Sequence, residues 1–180
     1  MATSQAANSR LFELRNSSSN LIIPTRVRGT AFTSGTVTTG YTFEMGLYRL
    51  TGFTALDTTN TVTPTSSVLR TSFTAFPGSG AQVRHVTVAG AAAGMTGGTM
   101  TKDAQLISSF RYLTGTAAPT APFYANDHMH DFLDQSPGFT QPLVLAQNEG
   151  IEIENITAGS ATSNVVSVYL EVGWYEVAAF

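Results

Sequence analysis

The run from Val166 to Val177 constrains this chain more than any other stretch. Val166, Val168, Leu170, Val172 and Trp174 fall on every second residue. Side chains alternate across a strand, so these five share one face and predict a core contact. Ser167, Tyr169, Glu171, Gly173 and Tyr175 share the other face, open to water or to a partner chain. An alternating run of about ten residues exceeds the usual strand length of about 5–6 and suits a sheet that spans a whole domain. Just upstream, Pro142-Leu-Val-Leu145 and Ile151-Glu-Ile-Glu-Asn-Ile-Thr157 read as further strands of the same block.

Composition agrees with a sheet protein. Thr occurs 27 times, with 16 Gly and 7 Pro as punctuation. Thr is β-branched and its hydroxyl caps turns, so this usage predicts many strands and many turns. At 180 residues the chain is expected to form one domain with a core of its own. Cysteine is absent, which excludes disulfides and thiolate chemistry. Charged residues are 12% of the chain, about half the usual share. With a net charge of −3 and Lys102 as the only lysine, no basic patch is available to neutralise phosphates, so no nucleic-acid partner is expected. No apolar run approaches the ~20 residues that span a bilayer, and the N-terminus does not read as a signal peptide.

Taken in order, residues 1–10 are small and polar and predict a flexible N-terminal arm, with residues 11–180 as a single β-sandwich domain. Leu11–Arg15 and Leu21–Arg28 read as strands around a polar turn, and Pro24 predicts a sheet edge or a bulge. Residues 30–40 read as a loop or a loosely specified strand. Tyr41, Phe43, Met45 and Leu47 alternate, then Tyr48 and Leu50 carry the opposite parity, which predicts a bulge near Gly46–Tyr48. Residues 57–67 read as a polar loop, Val68–Phe76 and the region of Val83–Val88 as strands, and the Ala/Gly segment 89–98 as a loop with one helical turn. Ile107–Leu113 reads as a strand, 117–122 as a stiff connector, and 123–141 as a loop with a short strand inside it. The expected fold is all-β: an antiparallel two-sheet sandwich, jelly-roll-like, of about eight strands with long loops. An immunoglobulin-like sandwich stands second, weakened by the missing Cys pair.

The motifs that could carry chemistry are incomplete. His128 and His130 form a His-x-His pair, with Asp127, Asp131 and Asp134 near; cupin metal sites use a similar pair followed by an acidic residue, here Asp134. Such a site needs a further His from a later strand, and none follows His130, while His85 lies far upstream. The reading adopted is a polar loop or interface patch, with no metal and no cofactor. Glu152 and Glu154 share a strand face and read as a solvated pair rather than glycosidase carboxylates. There is no Gly-x-Ser-x-Gly elbow and no phosphate-binding Gly motif, so no catalytic residues are assigned and the protein is not expected to be an enzyme. Asn16-Ser-Ser18 and Asn155-Ile-Thr157 match the glycosylation sequon by chance composition.

Several stretches resemble one group of proteins. Leu11-Phe-Glu-Leu-Arg-Asn-Ser-Ser-Ser-Asn-Leu-Ile-Ile-Pro-Thr-Arg26, Thr51-Gly-Phe-Thr-Ala-Leu-Asp-Thr-Thr-Asn60, Pro142-Leu-Val-Leu-Ala-Gln-Asn-Glu-Gly150 and Trp174-Tyr-Glu-Val-Ala-Ala-Phe180 resemble small virion structural proteins of tailed bacteriophages. The resemblance is spread over most of the chain as a texture rather than a signature motif. It implies a capsid decoration (cement) protein, placed in the virion after assembly in the host cytoplasm, that stabilises the head shell through non-catalytic contacts. The implied partners are the major capsid protein or other virion proteins and further copies of this chain, in a trimer or another cyclic oligomer. The arm 1–10 and the loops 57–67 and 123–141 are the expected contacts. A phage neck or tail structural protein is the alternative, and behind it stand a cupin-like metal-binding and a carbohydrate-binding β-barrel.

Overall fold

The computed structural model describes residues 6–33, 41–64, 80–87, 94–114, 123–133, 142–157 and 166–178. Among them are ten strands and no helix; none of the described residues forms a helix long and apolar enough to cross a membrane. The strands are β1 (Ser9–Asn16), β2 (Leu21–Thr33), β3 (Tyr41–Ala55), β4 (Thr61–Val62), β5 (Ala81–Val86), β6 (Thr99–Lys102), β7 (Ser108–Thr114), β8 (Phe123–Asp131), β9 (Gly150–Asn155) and β10 (Val166–Val177). They make two antiparallel sheets. The larger runs β4-β5-β1-β9-β3, and β3 gives its far edge to β7 over Tyr41–Leu47 and to β6 from Leu50 onward. The smaller runs β10-β2-β8.

The pairings are nested. β1 pairs with β9, β2 with β8, and β3 with β7, each antiparallel, with the β4–β5 hairpin inside them. The chain therefore folds back on itself, crossing between sheets as it goes. The core lies between the sheets: Phe12, Leu14, Met45, Leu47, Phe110, Tyr112, Ile151 and Ile153 from the larger meet Ile22 and Val27 from the smaller. Val168, Leu170, Val172 and Trp174 pack against this core, as the alternation in β10 predicts. The sheets approach closely at Gly29, where a Cβ would come within 2.7 Å of the Tyr112 hydroxyl.

The all-β, sandwich-like class stands, with ten strands among the described residues instead of about eight. Pro24 does mark a bulge, since β10 pairs Gly173 with Arg26 and Trp174 with Pro24, leaving Thr25 extra. β2 is the middle strand of its sheet, but its register with β8 begins at Arg26, so Pro24 lies beyond that neighbour. The bulge expected near Gly46–Tyr48 is absent: β3 pairs without interruption from Met45 to Leu50. Phe43, Met45 and Leu47 face the core while Leu50 is buried on the other side, so the change of parity reflects a strand covered on both faces. The register shift comes later, between Thr51 and Ala55, next to Gly52 at φ 57°. Residues 123–131 form a full strand rather than a short one within a loop; pairing with β2 outweighs the weak β-propensity of Asp127, and Asn126 is the extra residue where the register shifts. Ser9 and Arg10, counted with the arm in sequence, belong to β1. Thr99–Lys102, unassigned in sequence, is a strand, and Gly94 and Thr96 make isolated bridges rather than a helical turn. Val68–Phe76, residues 1–5, 34–40, 65–67, 89–93, 115–122 and 134–141 lie outside the described residues.

Candidate functional site

The face of the larger sheet that points away from the core is a layer of buried charge. Glu13 sits between Arg84 on β5 and Glu152 on β9, and Glu152 is in turn opposite Tyr48 on β3. Arg10 is opposite Glu154. Arg10 joins this face because β1 carries a bulge: its register shifts between Arg10 and Phe12, so Leu11 is the extra residue. A shift of one residue exchanges the faces, and without it Arg10 would point into the apolar core.

Two segments cover the layer, residues 56–60 and residues 94–98 running into β6. They are tied to each other by Thr58 N–H and Thr59 N–H donating to Thr96 O at 3.1 and 3.0 Å, and by Asn60 Nδ2 donating to Gly94 O at 3.0 Å. They are tied to β1 by Met95 N–H donating to Arg10 O at 3.1 Å. Gly94 is required there: its φ is +69° and a Cβ would lie 2.7 Å from Arg10 O. Asp57 is the central fastening. Its N–H donates to Glu13 Oε2 at 3.2 Å, its Oδ1 accepts Gly98 N–H at 2.6 Å, and Arg10 Nη1 reaches the same oxygen at 3.1 Å.

Glu13, Asp57, Glu152 and Glu154 are all buried, the first three without any solvent contact. Among the described residues, the cations within ion-pair distance of them are Arg10 and Lys102. Arg10 Nε lies 3.5 Å from Glu152 Oε2, and Lys102 Nζ lies 2.6 Å from Glu154 Oε2 and 4.0 Å from Glu152 Oε1. Lys102 also sits 4.5 Å from the centre of the Tyr48 ring. Four carboxylates against two cations leave two negative charges uncompensated if all ionise, an arrangement that low-dielectric surroundings penalise. Burial and then the Asp57 carboxylate push Glu13 up to about 8, against the Asp57 N–H hydrogen bond and the pull of Arg10. Burial also pushes Glu152 up to about 7, with Arg10 and Lys102 opposing and Glu154 adding to the rise. Tyr48 is raised by burial and by the Glu154 charge. The layer thus holds protons at neutral pH. Its carboxylates are out of reach of a substrate unless the cover moves.

Glu152 and Glu154 are therefore not the solvated pair that their spacing suggests. The cover is polar and Thr-rich, and nothing in its own composition says that it lies on a sheet. The available signal was in β3, where Tyr48 and Leu50 place apolar bulk on the face that would otherwise meet water. Glu13 and Asp57 were not singled out in sequence at all. Among the described residues no group of three or more His, Asp or Glu side chains could hold a metal ion.

The strand positions of His128 and His130 share one sheet, and His85 belongs to the other. His128 and His130 occupy β8 opposite Gly29 and Val27 in the smaller sheet, while His85 lies on β5 in the larger one. His130 is lowered by burial, against the charge of Asp131, and its ring meets Phe132 edge-on at 4.6 Å. His85 Nδ1 is 3.0 Å from Val86 O. Asp134 lies outside the described residues. Asn16 and Asn155 of the two sequons are both buried, and Asn16 Nδ2 donates to Leu145 O at 2.9 Å.

The outward face of β10-β2-β8 is open. Tyr169, Tyr175 and Met129 are 67%, 63% and 60% exposed. Between them Arg26 pairs with Glu171, and Glu171 stands opposite Arg28 in register. A cleft of about 320 Å³ is lined by Arg28, Thr30, Tyr169, Leu170 and Glu171. No protein-family model, curated protein or solved structure matches this chain.

Proposed function

We propose that this chain is a virion structural protein, a capsid decoration protein of jelly-roll-like fold that stabilises a phage head shell as a homo-oligomer, without catalysis. The jelly-roll assignment is supported by the nested β1–β9, β2–β8 and β3–β7 pairs, which follow the order of a long hairpin wrapped across two sheets. It departs from that order where the β4–β5 hairpin joins β1 in the larger sheet and β10 is added beyond β2.

The observation that carries the reading is the open face with Tyr169, Tyr175 and Met129 around the Arg26–Glu171 pair. Large side chains with a polar surround, grouped on a rigid sheet, are what a subunit or shell contact requires. Many copies on a repeated lattice add their weak contacts through multivalency. The resemblance of the Leu11–Arg26 and Trp174–Phe180 stretches to phage virion proteins supplies the shell as partner.

The test is the double variant Tyr169→Ser/Tyr175→Ser. Its unfolding midpoint should match wild type, since both side chains are mostly in water, while occupancy on purified shells falls at least tenfold. Full occupancy of the variant would remove this face from the account. Cryo-electron microscopy of the particle separates a shell protein, repeated over the head, from a neck or tail protein confined to one ring.

A further inference from the structure

The charge layer suggests a role that lattice binding does not need. We propose that it is a proton-tightened clasp: protons held by Glu13 and Glu152 seat the cover on the sheet in mildly acidic conditions, and their release as the pH rises through neutrality loosens it.

The geometry is specific. Among the described residues neither oxygen of Glu152 has a hydrogen-bond partner, and the side chain has no solvent contact, although it sits between Arg10 and Lys102. Glu13 Oε1 and Glu154 Oε1 are likewise without a hydrogen-bond partner. An unsatisfied buried carboxylate oxygen is costly when ionised, whereas a bound proton removes the charge and supplies a donor. The cover is fastened through the same groups, because the Asp57 main chain rests on Glu13 and the Gly98 main chain rests on Asp57.

Every neighbouring element contributes to the balance. β1 presents Arg10, β5 presents Arg84 beside Glu13, β3 presents Tyr48 and Glu44, β9 presents Glu154, β6 presents Lys102, and the cover presents Asp57. Arg84 lies outside ion-pair distance of Glu13, so Arg10 and Lys102 are the cations that the cover keeps against the carboxylates. Opening the cover lets Glu13 and Glu152 ionise in water, so opening is linked to proton release. The sign follows. Between the ordinary carboxylate value of 4.5 and the raised values of about 8 and about 7, the closed form holds more protons than the open form. Opening therefore becomes easier as pH rises through that window and levels off above it.

Hydrogen exchange at the Asp57 and Gly98 amides reads the clasp directly. After correction for intrinsic exchange, protection at these amides should fall at least tenfold between about pH 5 and about pH 8, while Ile151 and Ile153 in the sheet stay protected. The Glu13→Gln/Glu152→Gln protein, which cannot release these protons, should show no such fall. A flat wild-type profile, or the same fall in the double variant, overturns the proposal. If the double variant does not fold, carboxyl-carbon NMR titration of the wild-type protein decides. Glu13 and Glu152 titrating near neutrality supports the clasp, and both titrating at the ordinary carboxylate value of 4.5 overturns it. The clasp is independent of shell binding, so failure of the tyrosine variant to lose occupancy leaves it standing.

Discussion

Replacing Arg10 by Met tests whether the buried layer depends on its cations. Met keeps the aliphatic bulk beside Met100, whose Sδ lies 3.3 Å from Arg10 Nη1, and removes the charge together with the N–H donors. Arg10 serves two carboxylates that have no solvent contact, Asp57 at 3.1 Å and Glu152 at 3.5 Å. Stripping one partner from a buried pair costs about 3–5 kcal/mol. The Arg10 side chain is 29% exposed, so water already screens part of the interaction, and about 2–4 kcal/mol is the expected loss near pH 8. That is a large share of the ~5–15 kcal/mol by which domains are stable. Arg10 is one of the groups holding Glu152 down, so the variant lets Glu152 take its proton at a higher pH. Below neutrality that share of the cost disappears, and about 1–2 kcal/mol remains near pH 5. Urea unfolding followed by Trp174 fluorescence measures both values. In an Asp57→Asn background the loss should shrink, since one of the stranded charges is gone. A loss under about 1 kcal/mol near pH 8, or equal losses at the two pH values and in both backgrounds, would show that the layer does not depend on Arg10.

Global stability should follow the same protons. Because Glu13 and Glu152 are raised to about 8 and about 7 from 4.5, their contribution is complete below the unfolded value and is lost as pH climbs through the folded values. Thermal unfolding of Glu13→Gln should therefore show a weaker decline than wild type over that range; an unchanged slope would show that Glu13 is not the group concerned. At the sheet–sheet contact, Gly29→Val should cost about 1–3 kcal/mol by overpacking, because the new side chain meets the Tyr112 hydroxyl. Adding Tyr112→Phe should recover part of that loss in urea titrations, and no recovery would place the clash elsewhere.

The sequence carried the fold class well and the charge layer poorly, for a common reason. Strands with one apolar face announce themselves, and β10 and β9 were legible residue by residue because Val166–Trp174 and Ile151–Ile153 alternate. Alternation names only the apolar side. It leaves open whether the opposite side meets water, as Tyr169 and Tyr175 do, or a cover, as Glu152 and Glu154 do. β6 escaped notice and β8 read only as a short strand within a loop, because their strand character comes from partners on β3 and β2 rather than from their own residues. Arg10 was hidden by a bulge: its place in the charge layer depends on one extra residue, Leu11, that pairing reveals and periodicity does not.

The nested pairing also sets the order in which this chain can fold. β9 lies between β1 and β3, so these two strands, which find β5 and β7 sooner, are joined to each other only once residues 150–155 are present. On a ribosome the β1–β5 and β3–β7 pairs precede β9, and the larger sheet stays in two halves until β9 joins them. Such non-local topologies fold in about milliseconds to seconds, not microseconds. The stretch before β9 emerges is when the nascent chain is most open to wrong partners. Refolding complete within the dead time of stopped-flow mixing would contradict this order, and nascent chains arrested before Gly150 should be more sensitive to protease than chains that include β9.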